Sequence, residues 1–99
     1  MKTVEEIKSI LASHKQELKE KYGVKEIGIF GSYVRNEASI GSDVDILVEF
    51  EDDANIDLIK FVNMENYLSE LLGLKVDLVE KSSLKPRIGE RILKEVIML

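Results

Sequence analysis

A chain of 99 residues that is 44% hydrophobic and 33% charged has material for one small core, so a single domain over residues 1–99 is expected. It contains no cysteine, which excludes disulfides and any cysteine-based zinc site and fits a reducing, cytoplasmic setting. The net charge of −5 is uneven: residues 1–80 hold 9 Lys and Arg against 17 Asp and Glu, whereas residues 81–99 hold 5 against 2. An acidic body speaks against direct nucleic-acid binding, which depends on neutralising phosphates with cations, and no run approaches the ~18 apolar residues of a membrane span.

In chain order, the charged start Met1-Lys2-Thr3-Val4-Glu5-Glu6 lacks the apolar stretch of a signal peptide and instead supplies a capping box, Thr3 with Glu6. Apolar residues recur at Val4, Ile7, Leu11 and Leu18, with His14 in the stripe, and predict a first helix over about residues 4–21, closed by Tyr22-Gly23. His14 has no nucleophile beside it in sequence and reads as a buried or half-buried helix residue. Residues 25–30 alternate as a strand broken by Gly31-Ser32, and Ser32 to Ala38 has room for about two helical turns. Residues 43–50 form a clearer strand running into the acidic, solvated loop Glu51-Asp52-Asp53. The stripe from Leu58 to Leu72 predicts a longer helix with its apolar face in the core, capped by Asn55 or Asp57 and ended by Gly73. Residues 74–79 alternate as a third strand, and Pro86 opens a last helix carrying Ile88, Ile92 and Leu93. Val96 to Leu99 would extend that helix or add an edge strand. The basic residues Lys81, Lys85, Arg87, Arg91 and Lys94 read as helix surface, or as a contact to a partner or nucleotide.

The order α-β-α-β-α-β-α argues for a small sheet backed by helices. The dozen or so residues between the first two strands are near the minimum for a parallel crossover and leave their relative direction open.

Asp43 and Asp45 lie two apart on a strand, so both leave one face while Val44, Ile46 and Val48 line the other. Asp77 repeats this on the third strand between Val76 and Leu78. With no His or Cys nearby, three converging carboxylates make a hard-oxygen donor set suited to magnesium or manganese, and magnesium favours carboxylates plus substrate phosphates. The bland alternative is the solvated face of a sheet. Gly31-Ser32 shifts the balance. It stands where a strand ends and a helix is expected, so unpaired N–H groups, the Ser32 hydroxyl and Arg35 would face an anion there.

Phe30-Gly31-Ser32-Tyr33-Val34-Arg35, Ser42-Asp43-Val44-Asp45-Ile46-Leu47-Val48 and Lys75-Val76-Asp77-Leu78-Val79 together resemble the signature of the DNA polymerase β-type nucleotidyltransferase superfamily. Within it the chain resembles the minimal nucleotidyltransferase (MNT) antitoxins of HEPN/MNT toxin–antitoxin systems, over nearly its whole length. The resemblance implies an α/β (α+β) fold with a small mixed sheet. It implies that Asp43 and Asp45 hold two Mg2+ ions, that Asp77 binds one of them and promotes deprotonation of the attacking hydroxyl, and that Gly31, Ser32, Arg35 and Ser42 bind the nucleotide. The implied reaction moves AMP from ATP to a tyrosine hydroxyl of a partner HEPN ribonuclease toxin. Two positions depart from the family pattern: Asn36 replaces a frequent Gly, a mild change because Asn tolerates left-handed backbone angles, and Tyr33 replaces a frequent Arg that could touch phosphate. So short a chain has no acceptor-binding domain, and the acceptor must come on a partner. The competing readings are a non-catalytic antitoxin that neutralises its partner by binding alone and, less favoured, transfer to a small molecule such as an aminoglycoside.

Overall fold

The structure, a computed structural model, describes residues 2–99. Helix α1 (Val4–Ser13) opens on the expected capping box: the Thr3 hydroxyl accepts the Glu6 N–H at 3.2 Å and the Glu6 carboxylate accepts the Thr3 N–H at 3.2 Å. The helix expected to run to residue 21 breaks at His14 (φ −109°, ψ 7°) and resumes as α2 (Lys15–Tyr22). The reason is local. The Ser13 hydroxyl and the His14 Nδ1 both reach the Ile10 carbonyl, at 2.8 and 2.9 Å, and His14 N–H turns back to Leu11. Side chains thus take an acceptor that an unbroken helix would use. His14 is half-buried, in keeping with its structural reading.

Strands β1 (Val24–Phe30), β2 (Val44–Phe50), β3 (Val76–Glu80) and β4 (Ile97–Met98) form one mixed sheet in the order β3-β2-β1-β4. β1 is antiparallel to β2 and β4, and β2 is parallel to β3, which fixes the direction left open by the sequence. The parallel pair is joined by α3 (Leu58–Leu72), capped by Asp57, whose carboxylate accepts the Lys60 N–H at 2.8 Å. A 3-10 turn (Lys81–Ser83) leads to α4 (Pro86–Glu95), and the last residues add the edge strand β4.

One face of the sheet carries the core: Ile27, Ile29, Val44, Ile46, Val48, Val76 and Leu78 pack against Ile7, Leu11 and Leu18 and against Met64, Leu68 and Leu72 of α3. The stripe from Leu58 to Leu72 is not core throughout. Leu58 is 77% and Val62 41% exposed, and full burial begins only at Met64, so the first turn of α3 presents apolar side chains to solvent. The opposite face is not simply solvated either. Leu47, which shares it with Asp45, is 1% exposed.

The segment from Ser32 to Ala38 is a tight turn rather than two turns of helix. The N–H groups of Val34 and Arg35 both donate to the Gly31 carbonyl at 3.1 Å, and Glu37 N–H reaches the Ser32 carbonyl at 2.8 Å. Asn36 adopts φ +60°, which ends the turn before a second can form. Tyr33 is 6% exposed and belongs to the core, so at this position, where the family pattern suggests a phosphate contact, the chain has a packing residue.

Candidate active site

The parallel register of β2 and β3 sets Asp45 beside Asp77, as Val44 sits beside Val76 and Ile46 beside Leu78. Neighbouring strands lie ~4.8 Å apart, so both carboxylates leave the same edge of the same face. Asp43 lies one residue before β2, half-buried, and Val44 between the pair is fully buried on the core face. The three aspartates predicted to converge therefore occupy one end of the sheet, at the start of β2 and β3.

Burial raises the Asp45 carboxyl above its ordinary range, and the charges of Asp77, Asp43 and Glu95 push the same way, against a smaller opposing pull from Arg35. An all-oxygen donor set whose members repel one another fits a hard divalent cation, which would relieve the repulsion. Among the described residues no three acidic or histidine side chains are drawn together closely enough to hold an ion as they stand.

Phe30 pairs with Asp45 across the antiparallel ladder, and this brings the following residue, Gly31, against the Asp45 side chain. Gly31 has φ +83°, and a Cβ there would overlap Asp45 Oδ2 and come within 2.9 Å of its Cγ. Only glycine gives both this backbone angle and this closeness. Ser32 follows, half-buried at the turn, and its hydroxyl makes no hydrogen bond to the described residues. The turn is no helix N-terminus, so the helix dipole expected there is absent, and what it offers an anion is a hydroxyl and backbone N–H groups. Ser42 is half-buried just before Asp43, and its hydroxyl accepts the Ser39 N–H at 2.9 Å, shaping the loop that leads into β2.

Arg35 does not project freely toward an anion. Its Nη1 donates to Glu95 Oε1 and its Nε to Glu37 Oε1, both at 2.7 Å, and these bonds hold its guanidinium more firmly protonated than usual. The second Glu95 oxygen accepts the Gly31 N–H at 2.8 Å. Burial alone would raise the Glu95 carboxyl, but the bonds from Arg35 and Gly31, with the fields of Arg35 and Arg91, outweigh it and hold it below its ordinary range. Sequence reasoning misses Glu95, because the basic residues around it on α4 dominate the pattern. Its signal is periodic: Ile88, Ile92 and Glu95 recur at helix spacing, so one acidic residue stands in an apolar stripe. Phe30, Gly31, Arg35, Asp45, Ile92 and Glu95 line a cleft of about 200 Å³ between the turn and α4.

The glycine-serine turn thus lies against one of three carboxylates gathered at this end of the sheet. The chain belongs to the nucleotidyltransferase domain family, whose model matches residues 11–99. It is 60% identical over 97 residues to the protein adenylyltransferase MntA of Thermococcus cleftensis, covering 98% of this chain and 96% of that protein. Among solved structures, one described as a minimal nucleotidyltransferase superposes with a TM-score of 0.73 at 34% identity, covering 94% of this chain and 95% of the other. A complex of a tri-AMPylated Shewanella oneidensis HEPN toxin with its MNT antitoxin superposes with a TM-score of 0.67 at 22% identity, over 93% of this chain and 70% of that one, a likeness of fold. The small mixed sheet with helices is the minimal nucleotidyltransferase fold, and the chain is a nucleotidyltransferase.

Proposed function

We propose that this chain is the antitoxin of a toxin–antitoxin pair and transfers AMP from ATP to a tyrosine hydroxyl of a HEPN-type ribonuclease toxin in the cytoplasm. The observation that carries the reading is the Asp45–Asp77 register with Gly31 pressed against Asp45, which puts the Gly31-Ser32 turn beside paired carboxylates. The close relative named as a protein adenylyltransferase supports the reaction, and the AMP-modified toxin held by an antitoxin of the same fold supports the acceptor.

Asp43, Asp45 and Asp77 are the catalytic and metal-holding set, and together they would hold two Mg2+ ions. When bound, Mg2+ supplies charge stabilisation at the attacking and departing oxygens of an in-line displacement. Gly31, Ser32, Arg35 and Ser42 make up the nucleotide-binding set: Gly31 lets the backbone approach, Ser32 offers its free hydroxyl to the terminal phosphates, and Arg35 and Ser42 hold the two flanking loops. Asp77, the exposed carboxylate of the three, is the one open to an incoming acceptor and takes up the proton of the tyrosine hydroxyl. The hydroxyl oxygen bonds to the α-phosphorus, the bond to the β-phosphate oxygen breaks, and pyrophosphate leaves. The acceptor is presented by a partner docked on this surface, a reading supported by the toxin-bound antitoxin of the same fold.

The test is incubation with ATP, Mg2+ and the partner toxin, followed by peptide mass spectrometry. The expected result is a gain of AMP on a toxin tyrosine, abolished by Asp43→Asn. No gain, or a gain indifferent to Asp43→Asn, refutes the reading. Full protection by the Asp43→Asn/Asp45→Asn double variant would point instead to neutralisation by binding alone.

A further inference from the structure

Two arginines border the cleft between the Gly31 turn and α4, and they differ in what they have left to give. Arg35 donates to two carboxylates at 2.7 Å each, so its charge is already matched. Its geometry is that of a brace: through Glu95 it is tied to the Gly31 N–H, and Glu95 is only 21% exposed. Arg91 lines the same cleft from α4, one turn before Glu95, is itself exposed, and forms no ion pair among the described residues. Ile88, Arg91, Ile92 and Glu95 follow one another at helix spacing and all line the cleft, so the face of α4 that carries Arg91 is turned to it.

The charge balance makes the difference matter. Asp45 and Glu95 line the cleft and Glu37 borders it, and Arg35 offsets them only in part. A polyphosphate entering beside the turn adds further negative charge; Mg2+ held by the aspartates would offset it on the sheet side, and on the α4 side the cation not already committed is Arg91. We infer that Arg91 is the side chain that meets the phosphates of the bound nucleotide, and that Arg35, braced by Glu95, is a positioning residue of the Gly31-Ser32 turn. This rests on the nucleotidyl-transfer reading above. It assigns a binding role to the basic C-terminal segment, and makes α4 part of the nucleotide site.

The experiment measures ATP binding by calorimetry in the presence of Mg2+, the KM and kcat of AMP transfer, and thermal midpoints. It compares the wild-type chain with Arg91→Gln, Arg91→Lys, Arg35→Gln, Glu95→Gln and the Arg35→Gln/Glu95→Gln double variant. Losing one charged contact to phosphate should weaken ATP binding and raise KM about tenfold in Arg91→Gln, with kcat and the thermal midpoint close to wild type. Arg91→Lys should recover most of the affinity, because phosphate accepts a point charge. Arg35→Gln and Glu95→Gln should each lower the midpoint, and their double variant should lower it little further, because the two act through one contact. ATP affinity within twofold of wild type in Arg91→Gln overturns the inference. So does an Arg35→Gln variant that loses ATP affinity while keeping its thermal midpoint. A wild-type chain that binds no ATP removes the functional reading and this inference together, whereas normal wild-type binding with an indifferent Arg91→Gln removes only the latter.

Discussion

Replacing Gly31 by alanine perturbs the site in two ways that can be separated. The backbone there has φ +83°, and a side chain in that region costs ~1–2 kcal/mol. The new Cβ would also overlap Asp45 Oδ2 and sit 2.9 Å from its Cγ, whereas carbon atoms rest at ~3.5–4.0 Å. The Asp45 carboxylate must therefore withdraw or rotate by on the order of 1 Å or more, and a misplacement of about 1 Å costs on the order of 100-fold in rate. For a domain of this size the backbone cost corresponds to a fall in melting temperature of roughly 5–15 °C. Gly41 provides the control. Its φ is +91°, yet no atom lies within 4 Å of where its Cβ would go. Gly41→Ala should show a similar melting loss and keep its AMP transfer, whereas Gly31→Ala should lose ~100-fold under conditions where both remain folded. Thermal unfolding followed by circular dichroism, with labelled AMP transfer measured well below both midpoints, makes the comparison. Equal activity in the two variants would refute the argument that Gly31 is required by its contact with Asp45.

Glu95 carries a pH dependence of determined sign. Its folded carboxyl lies below its ordinary value of 4.5, so its contribution is present above that value and is lost as pH falls through the lower folded one. Glu95→Gln should melt roughly 5–15 °C below wild type at pH 7, about 1–2 kcal/mol for partly exposed hydrogen bonds to a charged group. That gap should narrow as pH falls below 4.5 and through the lower folded value, and a gap that widens on acidification contradicts the assignment. The uneven burial of α3 makes a second comparison. Leu68 is fully buried, so Leu68→Ala should cost about 2–5 kcal/mol in denaturant unfolding. Leu58, 77% exposed, should cost no more than ~0.5 kcal/mol when replaced by alanine, and a loss equal to that at Leu68 would mean that its side chain is covered.

Much of the sheet is legible in the sequence because strand residues obey a period of two that burial enforces. Val44, Ile46 and Val48 have to face the core, and the alternation alone then puts Asp45 on the other side. The same rule applied to Val76 and Leu78 places Asp77, and parallel pairing makes the two neighbours. What the sequence conceals depends on contacts distant in sequence or on competition between side chain and backbone. The break at His14 comes from two side chains reaching the Ile10 carbonyl, a choice that apolar spacing does not record. The missing helix after Ser32 reflects Asn36 in a left-handed conformation: the residue type permits that angle, but nothing local shows that it is adopted and cuts the helix short. The partner of Arg35 cannot be read locally, since Glu95 lies 60 residues away and is surrounded in sequence by cations.

The bond from the Gly31 N–H to Glu95 also bears on how the chain opens. It spans 64 residues, so its loss needs only the undocking of α4 and β4, with the paired strands β1 to β3 left standing. β4 offers two residues of pairing to hold that end in place. Local openings of this kind occur at lower free energy than global unfolding, and amide hydrogen exchange resolves them. The Gly31 amide is then a reporter of the C-terminal segment, exchanging whenever that segment lifts, while the amide of Ile46, on the inner strand β2, waits for the whole core to unfold. The Gly31-Ser32 turn is therefore only as rigid as the docking of the C-terminal segment.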